Sequence, residues 1–149
     1  MVDVQTVIER LEALQAYLSE LDQHAQYSLN ELLSDFVRHR AAERSLQLAA
    51  QAVMDIATHI ITADYDARIQ DYHEAIESLG EEGVLPRELA ERLAPIAGFR
   101  NILVHEYLAV DPVRLYDNLI QSRADLREFG RNIAKYLERT GALDDEVTL

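Results

Sequence analysis

The chain has no cysteine in its 149 residues. That removes disulfides, thiol nucleophiles and thiolate metal sites together, and it suits a reducing compartment. Breaks are scarce as well, with five glycines and three prolines, so segment boundaries are few and easy to place. Positive charge is in short supply: 14 Lys plus Arg against 27 Asp plus Glu leave a formal net charge of −13. A surface of that sign opposes diffuse attraction to nucleic acid or anionic lipid, so any polyanion must meet a local basic patch. No apolar run approaches the roughly 18 residues of a membrane span, and the opening "MVDVQTVIER" lacks the basic-then-apolar pattern of a signal peptide. A cytoplasmic protein without a membrane partner is expected.

What is present is helical. Hydrophobic residues make up 48% of the chain and recur at steps of three and four almost throughout. Asp3 is placed as an N-cap, followed by the stripe Val7, Leu11, Leu14, Leu18 and Leu21 of a helix ending near Gln23. Ser28 and Glu31 have the capping-box spacing. They open a short helix leading into a long one from about Asp35 to Thr62, whose apolar face runs from Val37 and Ala41 through Leu46, Leu48 and Val53 to Ile61. Its polar stripe, Arg40, Arg44, Gln47, Gln51 and Asp55, carries little Glu/Lys pairing and is expected to line a groove. A third helix spans Tyr72 to about Glu82 and closes at Gly83; Pro86 begins another; Pro95 kinks that one or opens a fresh helix reaching Tyr107. Asp111 and Pro112 then start a helix to about Glu138, closed by Gly141. The expectation is all-α: an up-and-down bundle of about four main helices plus short ones, one domain over 1–141 and a short, poorly ordered acidic tail over 142–149.

Within the bundle the octet "RNILVHEY", Arg100 to Tyr107, stands out, because it sets an arginine, an asparagine, a histidine and a tyrosine in an apolar helix. At about 100° per residue, Leu89, Leu93, Ile96, Phe99 and Leu103 point one way, and Asn101 with His105 the other. The flanks of that second side are Ile102 and Val104 rather than charges. A helix apolar nearly all round is buried on both sides, and a second copy related by a two-fold axis is the economical cover. Arg100 and His105 lie about 140° apart within one chain, so pairing would gather two arginines and two histidines in one cleft. Guanidinium forks bind phosphate, and a histidine titrates near working pH. Bland readings exist for each residue: Arg100 paired to a carboxylate, His105 a core histidine held by Asn101, Tyr107 an amphipathic residue at a helix end.

These residues resemble the Arg-x4-His-x-Tyr motif of the HepT-like branch of the HEPN superfamily, prokaryotic all-α toxins. "AAERSLQLAAQAVMDIATHII", "LGEEGVLP" and "LAERLAPIAGFRNILVHEYLAVDP" are similar to that branch too, so the resemblance covers nearly the whole chain, with no departure from the extended motif. It implies a HEPN-like homodimer joined through the motif region and a metal-independent ribonuclease toxin of a type VII-like toxin–antitoxin pair. Arg100 would hold the scissile phosphate, His105 would act as base, and Asn101 would orient the imidazole. Tyr107 would accept AMP from a minimal nucleotidyltransferase antitoxin, which silences the toxin. No cofactor and no DNA partner are expected.

Arg40 and Arg44, in "FVRHRAAERS", are candidate RNA contacts from local charge alone; a solvated, ion-paired face is the bland alternative. Against catalysis stands a silent helical module that binds a nucleotidyltransferase or a nucleotide, which the acidic charge favours. A di-metal carboxylate bundle needs Glu-x-x-His, and no histidine here has Glu three residues before it. His24, His39, His59 and His73 therefore read as surface or packing residues. No glycine-rich phosphate loop is present.

Overall fold

The structure is a computed structural model that describes residues 1–65, 68–105 and 111–141. Seven helices run through the described residues: α1 (Val4–His24), α2 (Leu29–Ser34), α3 (Phe36–Asp64), α4 (Tyr72–Glu81), α5 (Arg87–Leu93), α6 (Ile96–His105) and α7 (Pro112–Arg139). The starts of α1, α2, α3, α4 and α7 are set by side-chain acceptors that satisfy otherwise orphan backbone N–H groups. Asp3 accepts from Thr6 N–H, Ser28 and Glu31 form a reciprocal capping box, and Asp111 accepts from Val113 with Pro112 beside it. Asp35 is shared: it ends α2 and its carboxylate accepts from Val37 and Arg38 N–H at the head of α3.

α3 is the central post and packs against α1, α2, α4, α6 and α7. Five alanines, Ala42, Ala49, Ala50, Ala52 and Ala57, are buried on it beside Leu46, Val53, Met54, Ile56, Ile60 and Ile61. Small side chains on several faces let neighbouring helices approach while the branched ones fill the gaps between them. α7 seals the bundle with Leu115, Leu119, Leu126, Phe129, Ile133, Tyr136 and Leu137 inward. It is fastened to α1 through Arg123 and Arg127, which both donate to Asp22. Burial works against the charge on Asp22, yet the two guanidiniums hold its carboxyl below the usual range. At the opposite end Tyr136 donates to Asp64 at 2.5 Å, and the other oxygen of Asp64 accepts from Val2 N–H. Burial and that acceptor push the Tyr136 phenol far up.

Two expectations need correcting. Val37 (72% exposed) and Ala41 do not join the apolar face of α3, because its first turns carry those two positions away from the packed faces. And the bundle has three helices longer than 20 residues rather than about four, since the left-handed Gly83 (φ 77°) and the helix break at Pro95 divide the remaining side among α4, α5 and α6. α4 and α5 meet so closely that a Cβ on Gly80 would lie 2.7 Å from that of Ala90. The acidic tail, 142–149, lies outside the described residues.

One tie between α1 and α3 carries a pH signature. Ser45, the buried polar residue of the core, donates its single hydroxyl proton to Glu20 at 3.0 Å, so His24 Nε2 must supply the proton of its 3.3 Å bond to Ser45 Oγ. Burial lowers the His24 pKa, with Glu20 pulling weakly the other way. A depressed folded-state pKa favours the neutral ring, so the contribution is present above the unfolded value near 6.5 and lost as pH falls below it. The melting temperature is expected to drop between pH 7.5 and 5.5, and His24→Gln should flatten that slope. Thermal melts of both proteins across this range, above the carboxylate titrations, would show equal slopes if His24 had no part.

Candidate functional site on helix α6

α6 starts directly after Pro95 and buries Ile96, Ala97, Phe99 and Leu103, the stripe expected to continue Leu89 and Leu93, which are buried on α5. It is braced by α3, α4 and the start of α7, where Arg114 stands over the Phe99 ring at 5.4 Å. The other side of α6 is uncovered. Asn101 and His105 are exposed, and Ile102 and Val104 are only half-buried. His105 is thus no core histidine; its ring meets solvent at the last described turn.

Arg100 is half-buried, and its Nη1 donates to the Asn101 side-chain oxygen at 3.0 Å. Residues one apart on a helix do not ordinarily face each other, so the long side chain swings back across its own turn to reach Asn101. The Nε of the same guanidinium is enclosed, and none of the described residues accepts from it. An unmatched buried donor in a cation invites an anion. Arg100, Asn101 and His105 are therefore gathered on one short helix, whereas Tyr107 lies outside the described residues.

Arg40 and Arg44 sit on the first half of α3, both exposed; Arg40 pairs with Glu43 at 3.2 Å. At the far end of their stripe Asp55, accepting from Gln51 at 2.7 Å, lines a hollow of about 300 Å³ with Arg10, Thr58 and His59. Of the remaining histidines, His73 lies 3.2 Å from Glu77 and His59 accepts from Asp3 N–H, while His39 Nε2 approaches Glu43 at 3.2 Å without a hydrogen bond among the described residues. Among the described residues no three His, Asp or Glu side chains converge as a metal-ligand set. No helix among them is long and apolar enough to cross a membrane. What sequence reasoning missed is Phe36, 69% exposed at the head of α3; its place between Asp35 and the arginines was the available signal.

Residues 8–133 match the family described as Ribonuclease HepT-like. The chain belongs to the HepT-like ribonuclease family. It is 35% identical to the tRNA nuclease HepT of Aphanizomenon flos-aquae over 139 residues, 92% of this chain and 95% of that one. A putative RNase of Archaeoglobus fulgidus is 32% identical over 104 residues, 70% of this chain and 73% of its own. Among solved structures, a tri-AMPylated HEPN toxin of Shewanella oneidensis in complex with its MNT antitoxin superposes with a TM-score of 0.79 at 21% identity, covering 91% of this chain and 99% of that one. At that identity the likeness is one of fold: the two chains share an all-helical architecture.

Proposed function

We propose that the chain is a cytoplasmic, metal-independent RNA endonuclease toxin whose site is a cleft between two copies of α6. The observation that carries this is the exposed face holding Asn101 and His105 beside an Arg100 guanidinium with a donor unmatched among the described residues. A second copy covering Ile102 and Val104 would bring two such sets together. Arg100 neutralises the scissile phosphate. His105 takes the proton of a ribose 2′-hydroxyl, that oxygen bonds to phosphorus, and the bond to the 5′-oxygen breaks. The imidazolium returns its proton to the leaving oxygen, giving a 2′,3′-cyclic phosphate and a 5′-hydroxyl. Asn101 serves both neighbours: its oxygen holds Arg100 and its amide nitrogen is left to orient His105. Arg40 and Arg44 steer the RNA.

By analogy with the AMPylated relative, a nucleotidyltransferase antitoxin transfers AMP to Tyr107, placing phosphate beside Arg100 where RNA would bind. A non-catalytic module that binds such a partner or a nucleotide is the second reading, favoured by the net charge of −13.

The test is digestion of RNA by protein shown unmodified by intact mass, in excess chelator. Cleavage with cyclic-phosphate ends supports the enzyme; intact RNA supports the silent module. Incubation with the antitoxin and ATP should add AMP masses and stop cleavage, and Tyr107→Phe should gain no mass.

A further inference from the structure

Of the exposed large hydrophobics on the described surface, Leu33, Phe36 and Val37 lie together at the α2–α3 junction, while Met1 and Val113 stand singly. The same stretch is locally basic in an acidic chain. From 33 to 44 it has Arg38, Arg40 and Arg44 against Asp35 and Glu43, so 3 − 2 = +1 with histidine neutral. Two of these guanidiniums stand over aromatic rings, Arg38 over Tyr27 at 4.1 Å from the centroid and Arg40 over Phe36 at 5.2 Å.

We propose that this junction is a stacking subsite for unpaired RNA, in which a base lies against Phe36 and Arg40 while Arg38 and Arg44 meet the flanking phosphates. The proposal rests on the ribonuclease reading above and adds to it a surface outside the motif. The chemistry fits because every base offers a π-face to an aromatic ring or a guanidinium plane, and the backbone between bases needs cations. The ion pair Arg38–Asp35 (3.4 Å) is exposed on both sides, and such a pair contributes little, so it exchanges readily for phosphate. In Arg40–Glu43 (3.2 Å) the arginine is exposed while the Glu43 side chain is mostly covered.

Placement supports the same conclusion. Tyr116 on α7 donates to the backbone oxygen of Tyr27, the residue beneath Arg38. Two positions earlier, Arg114 stands over Phe99, the neighbour of Arg100. The first turns of α7 thus touch both the junction and α6.

The experiment uses the full chain carrying His105→Ala, unmodified by intact mass, and reads fluorescence anisotropy with labelled oligouridylate and oligoadenylate of about ten nucleotides, a length within the usual single-strand site sizes. Adding Phe36→Ala should weaken binding by about five- to a hundredfold. Phe36→Trp should restore it and Phe36→Leu should not, because the ring and not the volume is required. Since Phe36 is exposed, these variants should fold and sediment as the parent does. Equal affinity of the alanine variant, with Arg100→Ala still weakening RNA, overturns the subsite and leaves the ribonuclease standing. Equal affinity with a changed sedimentation coefficient also overturns it, making the patch a protein interface. If no variant binds and the wild type leaves RNA intact, both proposals fall.

Discussion

Changing His105 to alanine is expected to slow RNA cleavage by about 10²- to 10⁴-fold, the usual range for removing a positioned general acid–base. The effect should fall on the single-turnover rate at saturating RNA, with affinity nearly unchanged, because the exposed imidazole acts on a proton and does not hold the chain. Arg100→Ala should reduce both rate and binding, since it removes phosphate attraction in the ground state and charge stabilisation in the transition state. Arg100→Lys should not recover activity: an ammonium lacks the planar fork that reaches phosphate and the Asn101 oxygen together. Quench-flow or gel time courses in chelator decide it, and His105→Ala protein cleaving at the parental rate would end the acid–base assignment.

Phe129→Ala should cost about 3–5 kcal/mol of stability, the range for removing a fully buried aromatic side chain and leaving its cavity. Phe129 is wholly enclosed on α7, the helix that closes the bundle against α1, α3 and α5. Urea melts should show a lower midpoint at an unchanged slope if the bundle still unfolds as one unit. A loss below about 1 kcal/mol, on the scale of ordinary surface substitutions, would mean that α7 is not fastened as described. Activity per folded molecule should survive, because Phe129 stands apart from α6.

Much of this architecture was legible along the chain because its signals are local. A cap acts within three residues, so Asp3, Ser28 with Glu31, and Asp111 with Pro112 announce helices without reference to anything distant. Gly83 is equally local, closing α4 through its own φ. Apolar spacing is different: it says that a face wants cover and not which neighbour supplies it. Val37 and Ala41 therefore read as core and lie in solvent, while Ser45 is buried through partners 21 and 25 residues away.

The candidate site divides the same way. That Asn101 and His105 share one side follows from the turn of the helix alone. That Arg100 folds back onto Asn101 depends on rotamers that spacing does not encode. Phe36 escaped notice for the opposite reason, since an isolated aromatic at a helix start reads as core until its surroundings are seen.

The contact between Arg100 and Asn101 matters before any proton moves. An arginine waving in water must freeze several torsions when it grips its target, at about 0.5–1.5 kcal/mol for a side chain so rich in rotamers. Leaning on the adjacent amide, Arg100 has surrendered part of that freedom in advance, so in the proposed cleft an incoming strand would meet a hand already half closed.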